Sequence, residues 1–205
     1  MDKFASLQSF IPDVSRETFE YLLSYEAEII KWNKHINLVA SNEDIWQRHI
    51  LDSAQLNSYL SPYSEIIDIG SGGGFPAIVL AILNKSNAEI HINLIEKLQK
   101  KCSFLQNIIA KLKLPASVHN VRIEDYIHKT NKNKELAITS RAFSSLENIL
   151  VLSKHLKPNC LFLPKGKTYQ LEVKEAQSKW QFSLEIYNSK LQNDSVILKL
   201  TNIHY

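Results

Sequence analysis

Four of the five glycines in this 205-residue chain stand together in the stretch Gly70-Ser71-Gly72-Gly73-Gly74. An apolar run at residues 65–69 precedes the stretch, and a second apolar run begins at Pro76. A strand, a glycine loop and a helix in this order let backbone N–H groups approach a bound cofactor closely. Since a tight turn alone needs about one glycine, the cluster predicts a cofactor-binding loop.

The residues from 65 onward alternate short β-rich runs with helical ones. The β-rich runs include EIIDIG, EIHINLIE, ASVHNV, ELAITS and LFLPKG, and the chain closes with FSLEIYN and SVILKLT. Repeated βα units that end in a strand pair predict an α/β fold, a three-layer Rossmann-like sheet with a C-terminal antiparallel hairpin.

A different pattern fills the first 62 residues. Apolar residues recur at helical spacing in residues 15–31 and 45–60, and the second run stops at Ser61-Pro62. Asp13 or Ser15 is available as an N-cap for the first run. We therefore expect a small helical module over 1–62 and a cofactor-binding core, one compact unit, over 63–205.

Two residues narrow the class of cofactor. Phe75 occupies the sixth position of the dinucleotide fingerprint, where close helix packing needs Gly or Ala, so a nicotinamide dinucleotide is disfavoured. Glu96 ends the second β-rich run, where an acidic side chain is placed to accept hydrogen bonds from ribose hydroxyls. Gly166-Lys167-Thr168 resembles the end of a P-loop, but Leu161 stands where that pattern begins with glycine.

Composition sets only broad bounds. The chain is 44% apolar and 22% charged, has two cysteines and carries a net charge of +3. The first residues lack the layout of a secretory signal, and we expect a cytoplasmic protein without disulfides. Mild basicity by itself names no polyanionic partner.

Several phrases spread over nearly the whole chain resemble those of one family. They are Trp32-Asn33, Asn37-Leu38, Arg48-His49-Ile50-Leu51-Asp52-Ser53, the run from Asp68 to Pro76, Glu96 with Lys100-Lys101, Arg122-Ile123-Glu124, Ser140-Arg141-Ala142 and Lys165-Gly166. The sequence is similar to the bacterial 16S rRNA methyltransferase G proteins, also called glucose-inhibited division protein B. Ala77 departs from the glycine that usually follows the proline in that family.

The resemblance implies a class I methyltransferase that transfers a methyl group from S-adenosylmethionine to guanine N7 in the 530 loop of 16S rRNA. It assigns Arg141 to a position beside the cofactor and the incoming base, as a positioning group for catalysis. The cofactor residues that it implies, together with Glu96, are Asp68, Gly70, Gly72, Phe75, Ile123, Glu124 and Arg141. Arg141 has three open roles, namely binding the cofactor carboxylate, stacking on the base or binding a phosphate.

Basic residues near the carboxyl ends of the strands are the expected RNA contacts. These candidates are Lys100, Lys101, Lys165 and Lys167. The partner is then 16S rRNA or the small ribosomal subunit, with no membrane, and we expect a monomer. His49 and Asp52 stand three apart on an expected helix, but two groups rarely hold zinc, so no metal is expected.

Guanine N7 carries an unprotonated lone pair, so its methylation requires positioning and no general base. Three alternatives remain open at this point. They are a methyltransferase for a small molecule or protein, a non-catalytic ribosome-assembly factor on the same fold, and a nicotinamide oxidoreductase.

Overall fold

The computed structural model describes residues 2–40, 43–60, 62–126 and 135–204. Its centre is a seven-stranded sheet in the order β3-β2-β1-β4-β5-β7-β6. The strands are β1 (Glu65–Ile69), β2 (His91–Ile95), β3 (Ala116–His119), β4 (Leu136–Thr139), β5 (Cys160–Lys165), β6 (Gln181–Asn188) and β7 (Val196–His204). β1 to β5 run parallel, and β7 pairs antiparallel with both β5 and β6. The predicted α/β sheet with its closing hairpin is confirmed.

Helices cover both faces of this sheet. They are α1 (Lys3–Gln8), α2 (Arg16–Trp32), α3 (Asp52–Ala54), α4 (Asn57–Leu60), α5 (Ala77–Leu83), α6 (Gln99–Leu112), α7 (Leu146–Ser153) and α8 (Tyr169–Gln177), with short 3₁₀ turns at Ile123–Asp125 and Lys154–Leu156. One hydrophobic cluster joins α5 and α6 to one face, and a second joins α7 and α8 to the other. Burial of an apolar stripe on each helix against the sheet produces the three layers.

The N-terminal helices pack outside α5 and α6. The Ser15 side chain accepts a hydrogen bond from the backbone N–H of Thr18 and caps α2, so Ser15 is the N-cap of the two candidates, Asp13 and Ser15. Tyr25 and Ile29 of α2 are fully buried in the same hydrophobic cluster as Phe104 of α6. The first helices are thus continuous with the core, and a division at residue 62 stays a prediction.

Residues 45–60 differ from the single helix that their apolar spacing predicts. A π-helical turn covers Trp46–Leu51, and the short helices α3 and α4 follow it, separated by a turn at residues 55–56. Trp46, Ile50 and Leu51 are buried, while His49 lines a cavity. π-Helical turns are rare and are found frequently at functional sites, so this turn marks the segment that carries His49.

No helix among the described residues is long and apolar enough to cross a bilayer. The predicted stop at Ser61 lies outside the described residues.

Candidate functional site at the carboxyl edge of the sheet

The glycine loop is bound to the end of β2. The backbone N–H groups of Gly70 and Ser71 both donate to the carbonyl oxygen of Ile95, at 2.9 and 3.1 Å. Gly70 and Gly72 have φ angles of +71° and +56°, which other residues rarely adopt. The loop therefore turns sharply at the point where β1 and β2 end side by side.

Close packing behind the loop explains its remaining glycines. A Cβ atom on Gly74 would lie 2.5 Å from Cγ1 of Ile78 and 2.9 Å from the hydroxyl of Tyr25. A Cβ atom on Gly73 would lie 3.1 Å from the carbonyl oxygen of Leu38. Asn33 places Leu38 there, since its side-chain oxygen accepts the Leu38 N–H at 2.8 Å. The N-terminal helices thus support the loop directly.

Glu96 faces the loop from the end of β2 and is 6% exposed. Its two carboxylate oxygens accept the backbone N–H groups of Gly72, at 2.9 Å, and Leu98, at 2.8 Å. A carboxylate has about four lone-pair positions, so two remain for further donors. Glu96 is therefore fixed in orientation and still able to accept hydrogen bonds from a diol.

A cavity of about 350 Å³ lies beside Glu96. Apolar side chains form much of its wall: Ile69, Ile95, Leu98, Val121, Ile123 and Phe143. Glu124 also lines it, on the 3₁₀ turn after β3. An apolar slot with a carboxylate at one side has the chemistry needed for an adenosine group. We call this space the adenosine cavity.

A larger cavity of about 630 Å³ adjoins it. Gly70, Gly72, Lys101 and Ala142 line both cavities, which therefore meet at the glycine loop. The larger space, here called the acceptor cavity, also reaches Arg141, His49 and the loop between β6 and β7. A cofactor in one cavity and an acceptor in the other would meet at the shared residues.

Arg141 is held at the wall of the acceptor cavity by the N-terminal segment. Its Nη1 donates to Oδ2 of Asp52, at 3.2 Å, and to the carbonyl oxygen of Arg48, at 3.0 Å, while Nη2 donates to Nδ1 of His49. Its guanidinium carbon also lies 5.2 Å from the centre of the Phe75 ring. Only 17% of the Arg141 side chain is exposed. The predicted site arginine is therefore firmly anchored.

These contacts assign the proton on His49. A guanidinium group only donates, so Nδ1 of His49 is the acceptor and Nε2 carries the proton, which it donates to Oε2 of Glu43 at 2.7 Å. Burial, followed by the charge of Arg141, lowers the pKa of His49 from its usual value of 6.5. The hydrogen bond from His49 contributes most to lowering the pKa of Glu43.

Asp68 lies beneath the loop and lines neither cavity. Its Oδ1 accepts the Thr139 hydroxyl at 2.9 Å, and Oδ2 has no hydrogen-bond partner within the described part of the chain. Complete burial raises the pKa of Asp68 to about 7. Asp68 connects β1 to β4, and direct contact with a cofactor stays a prediction.

The four candidate lysines are in different environments. Lys101 lines both cavities, and Lys100 is exposed on the same helix. Lys165 lines the acceptor cavity but donates to Glu172 at 2.7 Å and to the Ser144 carbonyl oxygen at 2.8 Å. Lys167 pairs with Asp194 at 3.1 Å and is largely exposed. Lys101 is therefore the best-placed cation for a bound polyanion.

Phe143 is a further residue of the site that no sequence pattern indicated. Its ring packs on Gly70 so closely that a Cβ there would lie 2.2 Å from Cδ2 of Phe143. It lines the adenosine cavity and is 39% exposed. The only local signal was its place two residues after Arg141.

The described residues contain no cluster of three or more groups able to hold a metal ion.

A family model described as rRNA small subunit methyltransferase G matches residues 18–197 of the chain. The chain belongs to this family. Ribosomal RNA small subunit methyltransferase G of Bartonella bacilliformis is 44% identical, covering 98% of this chain and 94% of that protein. The protein of the same name from Brucella anthropi is 40% identical, and the match covers 98% of this chain and 95% of that protein.

Solved structures of other methyltransferases have the same fold as this chain. An S-adenosylmethionine-dependent methyltransferase from Aquifex aeolicus has a TM-score of 0.58 at 13% identity, covering 85% of this chain and 96% of that one. The tRNA (uracil-54, C5)-methyltransferase of Pyrococcus abyssi, solved with S-adenosylhomocysteine, has a TM-score of 0.51 at 11% identity, covering 75% and 38%. The predicted family, enzyme class and cofactor, S-adenosylmethionine, are confirmed.

Proposed function

We propose that this methyltransferase modifies N7 of a guanine in the 530 loop of small-subunit 16S rRNA. The observation that carries the proposal is the meeting of the two cavities at Gly70, Gly72, Lys101 and Ala142. Relatives at 40–44% identity that are named for small-subunit rRNA supply the substrate class, and the resemblance found in the sequence supplies the base and the loop.

The adenosine cavity suits S-adenosylmethionine. Glu96 has free lone pairs for the ribose hydroxyls, and Leu98, Ile123 and Phe143 offer apolar surface to the adenine ring. Gly70 and Gly72 keep the loop free of side chains where the cavities meet. S-adenosylmethionine supplies an electrophilic methyl group on a sulfonium sulfur when it is bound.

The acceptor cavity suits a nucleophile that has no proton to lose. His49, Glu43 and Asp52 all line it, yet each is engaged with another side chain. Guanine N7 attacks through a free lone pair, so none of these groups needs to act as a base. Methylation of an exocyclic amine also releases a proton, which one of these engaged groups or water would have to accept.

Arg141 contributes to selection of guanine. Three of its contacts are internal, and a guanidinium has about five N–H donors, so two remain for a ligand. Guanine presents the O6 acceptor beside N7, whereas adenine presents an amino group that donates. Donors on Arg141 therefore favour guanine. Lys101, at the boundary of the cavities, is placed to contact a phosphate.

The test is methyl transfer from radiolabelled S-adenosylmethionine to small ribosomal subunits and to deproteinised 16S rRNA from bacteria that lack the modification. Nuclease digestion and mass spectrometry then locate any 7-methylguanosine. We expect label at one guanine of the 530 loop, lost in Glu96→Ala and Arg141→Ala.

Cofactor binding without transfer to either substrate would contradict the proposal. That result would favour a non-catalytic ribosome-assembly factor. Label on a small molecule would favour a small-molecule methyltransferase. A ribosomal substrate also implies a cytoplasmic site of action. A monomer is proposed as well, and light scattering at assay concentration tests it.

A further inference from the structure

We propose that Glu43, His49 and Asp52 are positioning residues that hold the Arg141 guanidinium in its working orientation at the wall of the acceptor cavity. The inference rests on the proposed function, because it takes Arg141 as the group that meets the acceptor base. We call these three residues the arginine clamp.

The clamp binds Arg141 from two sides. His49 accepts from Nη2 and Asp52 accepts from Nη1. The His49 ring stacks on Phe75, with centroids 4.8 Å apart. Arg141 is therefore aligned with the glycine loop through Phe75, which is itself 5% exposed and fixed against Tyr25. An arginine restrained this way cannot sample the rotamers of a surface side chain.

The clamp is itself supported on both ends. Glu43 accepts from Nε2 of His49 at 2.7 Å and from Arg48 at 3.1 Å. Asp52 accepts on its other oxygen from Gln55 at 2.8 Å. Gln55 in turn accepts the backbone N–H of Lys190, in the loop between β6 and β7, at 3.1 Å. One hydrogen-bonded chain thus joins the N-terminal segment, Arg141 and the hairpin loop.

The charges fit a holding role. The two carboxylates of Glu43 and Asp52 face the two cations Arg48 and Arg141, and neutral His49 lies between them. Protonation of Nδ1 on His49 would direct an N–H at the guanidinium and remove the acceptor. Acidification is thus expected to release one side of Arg141.

The experiment measures kcat for four single variants and one double variant. The single variants are His49→Ala, His49→Asn, Asp52→Ala and Arg141→Ala, and the double variant combines Asp52→Ala with Arg141→Ala. Small ribosomal subunits that lack the modification are the substrate, and calorimetry gives the dissociation constant for S-adenosylmethionine. Gln47→Ala is the matched control, because this residue is in the same π-helical turn and lines neither cavity.

We expect His49→Ala and Asp52→Ala to lower kcat by about 10- to 100-fold with little change in cofactor affinity, since displacement of a positioning group by ~1 Å has effects of this size. His49→Asn keeps an acceptor near Nδ1 and should recover part of the rate. Adding Asp52→Ala to Arg141→Ala should cost nothing further. Because burial and the charge of Arg141 lower the pKa of His49 from 6.5, wild-type kcat should fall only at a pH below that usual value. The His49→Asn profile should lack this acid limb.

The positioning role would be overturned if the losses in kcat from Asp52→Ala and Arg141→Ala were fully additive in the double variant. It would also be overturned if both His49 variants lost the same activity and that loss followed the unfolding of the protein. ¹⁵N NMR of His49 decides the geometry without any activity: the clamp requires the Nε2–H tautomer and a higher pKa in Arg141→Ala, and an Nδ1–H tautomer would contradict it. An inactive wild type on subunits, with this NMR result intact, would instead overturn the proposed substrate.

Discussion

The hydroxyl of Tyr25 donates a hydrogen bond of 2.6 Å to the carbonyl oxygen of Gly73, a residue 48 positions later in the chain. Burial raises the pKa of Tyr25 well above its usual value, so the hydroxyl keeps its proton and remains a donor. An N-terminal helix thereby determines the position of the glycine loop.

Tyr25→Phe removes this donor and leaves a buried carbonyl with one partner fewer. We expect a loss of about 1–3 kcal/mol in the free energy of unfolding, measured by urea titration, and weaker binding of S-adenosylmethionine. Tyr21→Phe is the control, because its hydroxyl bonds to Glu17 on the exposed face of the same helix. Equal losses in the two variants would contradict a specific role for Tyr25.

Gly74→Ala should be strongly destabilising. The residue has a φ of +93°, and a methyl group there would lie 2.5 Å from Ile78 and 3.0 Å from Leu105. Backbone strain and overpacking together predict a loss of about 2–5 kcal/mol. Gly166→Ala meets nothing within 4 Å and should change stability by less than about 1 kcal/mol. Thermal unfolding of both variants checks the difference.

Glu96→Gln should weaken S-adenosylmethionine binding by about 10- to 100-fold, because hydrogen bonds to a charged group contribute about 1.5–3 kcal/mol. Calorimetric titration measures the effect. Glu89→Gln, at an exposed position before β2, is the matched control. Unchanged affinity in Glu96→Gln would remove this carboxylate from the cofactor site.

Asp68 should make stability fall as the pH rises. Its pKa is about 7 in the folded protein against 3.8 normally, so the folded state holds a proton that the unfolded state has released within this window. Its stabilising contribution is complete below pH 3.8 and is lost as the pH rises to about 7. Relative to wild type, Asp68→Asn should gain about 3 kcal/mol between pH 5 and pH 8, to be measured by urea unfolding at each pH. A difference independent of pH would show that Asp68 is ionised when buried.

Lys101→Ala should weaken binding to 16S rRNA and reduce the slope of log K against log salt by about 0.7 if one phosphate contact is lost. Filter binding over a salt series measures the slope. Lys113→Ala is the control, since it caps the other end of α6. An unchanged slope would show that Lys101 is a solvated surface residue that does not contact RNA. The double variant with Lys100→Ala tests the second candidate on that helix.

Local patterns were sufficient for the strands, the Ser15 cap and the loop between β1 and α5. Each depends on residues that are neighbours in the chain, where spacing and turn chemistry carry the information. Glu96 was predictable for the same reason, because the end of the second strand has a fixed place beside the first in a βαβ unit.

The surroundings of Arg141 could not be predicted this way. Its partners His49 and Asp52 are 92 and 89 residues away, and periodicity carries no information on such pairs. Phe143 was missed because an aromatic residue in a loop has no pattern of its own. The π-helical turn at Trp46–Leu51 was also missed, since its apolar spacing is the same as that of an ordinary helix.

The hydrogen bond from Lys190 to Gln55 spans 135 residues and joins the hairpin loop to the segment that holds Arg141. During synthesis the ribosome releases Gln55 long before it has made Lys190. The wall of the acceptor cavity therefore remains incomplete until nearly the whole chain has emerged. Recognition of the acceptor therefore depends on a loop that is made late in synthesis, 135 residues after the segment to which it binds.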